Sequence, residues 1–181
     1  MRKINNVTKQ TTKKMCHLWH IFFVMIYSTQ GGNDMKISIY SRNEIEKLIA
    51  SEFPKNTAVI SFYDPAGIRS DNEKPVDYKG KAEMLFQVAV YDIDISVLEN
   101  YGLTYETYLP EAEELAEFIK TAHDKGLDII CQCQYGQSRS AACAAAIEEY
   151  YNKNGISIFA DYRYYPNQVV YHKIFEALNK E

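Results

Sequence analysis

Leu127-Asp128-Ile129-Ile130-Cys131-Gln132-Cys133-Gln134-Tyr135-Gly136-Gln137-Ser138-Arg139-Ser140 is the stretch whose reading decides the fold. Leu127 to Gln132 reads as a short apolar strand of the buried kind. Ala141 to Tyr151 is alanine-rich and reads as a helix closing at Asn154-Gly155. The loop between them carries a cysteine at the strand end and an arginine six residues later. Its chemistry is anion capture. Backbone N–H groups of Gln134, Tyr135, Gly136, Gln137 and Ser138, with the helix N-terminus, form a nest for a dianion. Gly136 permits a tight bend where φ must be positive or a side chain would clash. Arg139 offers a fork of donors matched to two phosphate oxygens. The same positive field favours a thiolate on Cys133, which can attack phosphorus and form a phosphocysteine. Ser140 is placed to donate to the sulfur as it leaves in the second step.

Outward from this stretch, strands and helices alternate. Lys36 to Tyr40 reads as a strand, and Ser41 with Glu44 three residues on is a capping box. Ile45, Leu48 and Ile49 give the following helix its apolar stripe, and Pro54 stops it. Thr57 to Phe62 is a second strand, ending in Asp64-Pro65-Ala66-Gly67. Residues 69–83 read as a polar surface loop. Met84 to Tyr91 is a third strand, ending at Asp92-Ile93-Asp94. Pro110 opens an amphipathic helix with Leu115, Phe118 and Ile119 on one face, and Gly126 ends it. Ser157 to Ala160 reads as a short strand, and Pro166 opens a last helix through Leu178. The class is therefore α/β, with a central, mostly parallel sheet flanked by helices. Ligands in such sheets sit beyond the carboxyl ends of strands. Three loops qualify: 63–67, 92–96 and 133–139.

Charge and cysteine usage narrow the function. The chain has 20 basic and 24 acidic residues, a net of −4, but five of the basic residues and one acid lie in residues 1–34. Residues 35–181 therefore carry 15 basic and 23 acidic residues, a net of −8. An acidic body argues against nucleic acid or an anionic membrane as partner. The four cysteines, Cys16, Cys131, Cys133 and Cys143, show neither a disulfide framework nor paired metal-binding arms. Neither a metal nor another cofactor is expected. The protein is expected in the cytoplasm, where clustered thiols point to thiol chemistry rather than bridges.

Residues 1–34 differ from the rest. A basic stretch precedes an apolar run, Leu18 to Tyr27, that is too short to span a bilayer as a helix. Gln30-Gly31-Gly32-Asn33-Asp34 can be encoded by a purine-rich bacterial ribosome-binding sequence, spaced ordinarily before Met35. The expectation is that translation begins at Met35 and that residues 1–34 are a non-native or disordered extension. A signal segment or anchor, or a real extension, are the alternatives, and the intact mass of the native protein separates them. Residues 35–181 then form a single catalytic domain.

Cys-x-x-Gly-x-x-Arg-Ser, as Cys133, Gly136, Arg139 and Ser140, resembles the signature of the cysteine-based protein tyrosine phosphatase superfamily, in its dual-specificity branch. Compact bacterial members are similar further afield: an Asp-Pro turn (Asp64-Pro65), a strand ending in Asp-x-Asp (Asp92, Asp94), an acidic helix before the signature strand, and Pro-Asn ahead of the last helix (Pro166-Asn167). The resemblance covers most of residues 57–178. It implies hydrolysis of phosphate monoesters, on a phosphorylated protein or a small aryl phosphate, through a phosphocysteine on Cys133. It also implies an aspartic general acid upstream of the nucleophile, for which Asp92 matches best and Asp94 is close behind. An insertion around Tyr101 to Tyr108 separates both from the loop. Gln132 stands where the family usually has His, and Tyr135 is bulky for its position. The loop holds no Lys, which disfavours phosphoinositides.

Other readings stand beside these. A catalytically weak phosphate-binding module of the same fold is the main alternative, and a sulfurtransferase or arsenate reductase a third. Asp64 reads first as a turn residue, Asn167 as a helix-end group, Cys143 as core, and Tyr162-Arg163-Tyr164-Tyr165 as packing over sheet edges and surfaces, with the rim of an aryl-phosphate pocket as its alternative. Cys131, two residues from Cys133 along the strand, falls on the same face and could guard it against oxidation, or simply be core.

Overall fold

A computed structural model describes residues 35–67 and 73–180. The expectations for residues 1–34, and for 68–72 within the 69–83 segment, lie outside the described residues. The chain from Met35 onward forms an α/β unit around a four-stranded, wholly parallel sheet in the order β1-β4-β2-β3. The strands are β1 (Ile37–Ser41), β2 (Thr57–Tyr63), β3 (Met84–Ala89) and β4 (Asp128–Cys133). Since all run parallel, their carboxyl ends meet at one edge, and the three loops singled out above leave from it.

The helices are α1 (Arg42–Ala50), α2 (Ala112–Asp124), α3 (Arg139–Asn152), α4 (Ile156–Phe159) and α5 (Gln168–Leu178), with a 3-10 helix at Ile95–Tyr101. Ser41 caps α1 in a complete capping box with Glu44. One face of the sheet, with Ala58, Ile60, Phe62, Ile129, Cys131 and Cys133, packs in one core with residues of α2, α3 and α5. The other, with Val59 and Ile130, packs on Ile45 and Ile49 of α1. Helix α3 is buried on every side from Arg139 through Ile147, as an alanine-rich helix enclosed by a core should be. Its small side chains let it lie close to the sheet, which fixes where its first turn points.

Three expectations about elements change, and that for the segment 73–83 gains detail. Residues 157–160 belong to the short helix α4, closed by local bonds such as Ala160 N–H to the Ile156 carbonyl at 2.9 Å. The segment 73–83 is largely exposed and irregular, as a surface loop should be, but Val76 and Tyr78 anchor it in the core under α1. Strand β3 stops at Ala89, and the Val90 carbonyl turns to accept from Arg139 Nη1 at 2.8 Å. Helix α2 starts at Ala112, after a turn containing Pro110. In the segment from Tyr101 to Tyr108, Tyr108 is buried and its OH donates to the Tyr91 carbonyl at 2.6 Å.

Candidate active site

The loop from Cys133 to Ser138 is held at nearly every step. Its base is β4, the strand between β1 and β2. The Gln134 carbonyl accepts from Arg42 N–H at 3.1 Å, and the Gln137 carbonyl from Tyr165 N–H at 2.9 Å. Gly136 has φ of +69°, and a Cβ there would meet Ser41 N at 2.6 Å. Both the left-handed bend and the close approach to the end of β1 therefore require glycine. Tyr135 escapes crowding by pointing outward, 75% exposed. The side chain of Gln137 also faces solvent.

Cys133 is buried, and its Sγ lies 3.0 Å from Ser140 Oγ in the first turn of α3. That turn carries N–H groups with no intrahelical acceptor. Ser138, the N-cap, makes no side-chain cap; its hydroxyl donates instead to Asp92 Oδ1 at 2.6 Å. The helix N-terminus is thus left with its partial positive charge facing the loop.

Arg139 is 3% exposed. Its Nη1 donates to Asp64 Oδ1 at 2.7 Å and to the Val90 carbonyl. Its Nε is buried without a hydrogen-bond partner and lies 3.7 Å from Asp92 Oδ2. One corner of the guanidinium is anchored while a second donor is left over. A buried cationic donor without a partner is costly, so this arrangement suits an oxyanion.

The three strand-end loops converge here. Asp64, at the end of β2, is therefore more than a turn residue. Asp92 reaches the loop, its Oδ1 also accepting from Asn167 Nδ2 at 3.0 Å. Asn167 caps α5 through Oδ1, which accepts from Val170 N–H, and uses its amide nitrogen on Asp92 and the Ile93 carbonyl. It is a helix-end group, as its sequence suggests, and also orients the carboxylate. Asp94 points elsewhere. It caps the 3-10 helix, and the Ser96 N–H holds its carboxyl below the usual carboxylate range. Tyr108 is pushed up by burial, with the Asp92 charge adding to the effect.

Several assignments were not legible in sequence. Asp64 and Asn167 carry no spacing signal toward Arg139 and Asp92, because the contacts join distant loops. Tyr162 and Tyr165 are 88% and 73% exposed, so packing does not account for them. Cys131, Cys133 and Cys143 lie in the same core, all three as free thiols. Burial, with the neighbouring Cys131 adding to the effect, pushes the Cys143 thiol well up. Among the described residues no group of three or more side chains is arranged to hold a metal ion. No helix among them is long and apolar enough to cross a membrane.

No family model and no curated protein matches the chain in sequence. Solved structures do match. PTPMT1 in complex with PI(5)P is 12% identical, over 81% of this chain and 92% of that one, with a TM-score of 0.49. Human DUSP28 is 13% identical, over 78% and 90%, with a TM-score of 0.48. Tk-PTP in the active form is 11% identical, over 84% and 100%, with a TM-score of 0.48. The likeness is one of fold.

Proposed function

We propose that the protein hydrolyses phosphate monoesters, phosphotyrosine or other aryl phosphates, through a phosphocysteine on Cys133. The observation that carries this reading is Arg139: a buried guanidinium anchored through Nη1 to Asp64, with Nε making no hydrogen bond and facing Asp92 at 3.7 Å, in the first turn of the helix that follows the Cys133 loop. The loop N–H groups and Arg139 bind the dianion. The Cys133 thiolate attacks phosphorus, the P–O bond to the leaving group breaks, and Asp92 supplies the proton that the departing oxygen takes. In the second step Asp92 accepts a proton from water as that water attacks phosphorus. The P–S bond breaks, and the Ser140 hydroxyl donates to the emerging thiolate.

Asp92 suits the acid role because it reaches the loop, while Asp94 is spent on a helix cap. Aryl esters are favoured by the absence of Lys from the loop and by the exposed Tyr135 at its rim. A second reading, a phosphate-binding module with little turnover, is supported by the two hydrogen bonds that already occupy Asp92 Oδ1. Assay across aryl and alkyl phosphates separates the two: hydrolysis dependent on Cys133 supports the enzyme, and oxyanion binding without hydrolysis the module.

A further inference from the structure

We propose that Tyr78 and Ser61, acting through the Gln132 side chain, are positioning residues for the Cys133 loop. The inference rests on the phosphatase reading for its purpose, but not for its geometry. Gln132 is the last residue before the nucleophile, and its side chain leaves the opposite face of β4 from Cys133. It is fully buried, as is Ser61, and Tyr78 is 1% exposed. Ser61 is the register partner of Gln132 on β2, and Tyr40 its partner on β1. The Ser61 hydroxyl donates to Gln132 Oε1 at 2.7 Å, and the Tyr78 hydroxyl donates to the same oxygen at 3.2 Å. One acceptor therefore ties the strand end to its neighbour β2 and to a segment outside the sheet.

That segment is itself fastened. Arg42 Nη1 donates to the Lys74 carbonyl and Gln87 Nε2 to the Val76 carbonyl, each at 2.8 Å. Lys81 Nζ donates to the Ile49 carbonyl, and Phe53 packs edge-on to the Tyr78 ring. Residues 74–81 thus form a strap bound to α1 and β3, with Tyr78 as its one reach into the polar centre. An apolar side chain would fill the Gln132 position without leaving Nε2 unpartnered, as it is now. A buried polar group retained at that cost, with its oxygen doubly bonded, suits a locating role better than filling. The peg also does not titrate in the working range, since burial pushes Tyr78 up to about 12. It holds the loop base without introducing a charge beneath it.

The test uses the full chain with Tyr78→Phe, Ser61→Ala, Gln132→Leu and the Tyr78→Phe/Gln132→Leu pair. The readouts are thermal unfolding and the pH profile of iodoacetamide alkylation at Cys133, located by peptide mapping. Tyr78→Phe keeps the ring in the core and should stay folded. Displaced loop N–H groups should move its alkylation profile to higher pH and slow alkylation at neutral pH about 3- to 10-fold, as for one lost hydrogen bond. Ser61→Ala should do the same. The pair should be no worse than Gln132→Leu alone, because both changes remove the same bond. Folded Tyr78→Phe and Ser61→Ala proteins with wild-type profiles, or additive effects in the pair, overturn the inference. Rapid alkylation of wild type without ester hydrolysis would instead overturn the phosphatase reading.

Discussion

Asp64→Ala isolates the anchoring of the guanidinium. In the wild type Asp64 Oδ1 lies 2.7 Å from Arg139 Nη1, and the side chains are 14% and 3% exposed. Removing one partner of such a buried pair costs about 3–5 kcal/mol, because a charge is left uncompensated. Arg139 keeps the Val90 carbonyl and the nearby Asp92 carboxylate, so the lower end, about 3 kcal/mol, is expected. For a chain of this size each kcal/mol moves Tm by about 2–4 °C, so the loss should be about 6–12 °C. Inorganic phosphate should restore part of it, since a dianion supplies the missing charge; at 100 times Kd the gain is about 2.7 kcal/mol. Catalysis should respond differently from binding. With its anchor gone the fork is misplaced, and kcat on an aryl phosphate should fall about tenfold or more. Phosphate affinity should hold, because a competing anion has also gone. Thermal unfolding with and without phosphate, plus steady-state kinetics, reads all three. A variant with wild-type Tm and wild-type kcat would refute the claim that Asp64 holds the clamp.

Cys133→Ser should lose all turnover yet retain phosphate binding by calorimetry, since the loop N–H groups and Arg139 remain. Arg139→Lys should lose most activity, a point charge being unable to replace the fork, and its Kd for phosphate should rise. Asp92→Asn should lower kcat about a hundredfold on esters with poor leaving groups and far less on an activated aryl phosphate; Asp94→Asn should show no such split. If only Asp94→Asn shows it, the acid role moves two residues. A chelator should leave hydrolysis unchanged, since the proposed phosphocysteine route calls on no metal; loss of activity would count against the mechanism.

The fold class was legible because periodicity and breakers act locally. The Ser41–Glu44 capping box, the helix end at Gly126 and the buried strand before Cys133 are all written in contiguous residues. Within the exposed segment 73–83 the two anchors were hidden, because its composition is polar and Val76 and Tyr78, the residues that bury, carry no period. The start of α2 misled because Pro110 fits a first turn as well as the turn before it. At the site, the order strand–loop–helix placed Cys133, Gly136, Arg139 and Ser140 within one loop and the turn that follows it. The partners of Arg139 and Gln132 were illegible: Asp64, Val90, Ser61 and Tyr78 reach them across separate strands and a strap, and only the folded register brings them together. Asp92 and Asp94 look equivalent in sequence. They differ because Asp94 is recruited to cap the 3-10 helix, which leaves Asp92 to the loop.

The central claim is a covalent bond between phosphorus and Cys133, and it can be seen directly. Asp92→Asn protein mixed with an activated aryl phosphate, quenched rapidly in acid and digested, should yield the peptide containing Cys133 heavier by one phosphoryl group. The same treatment of Cys133→Ser should yield none. Hydrolysis with the phosphoryl group on another residue, or on none at any quench time, would contradict the account.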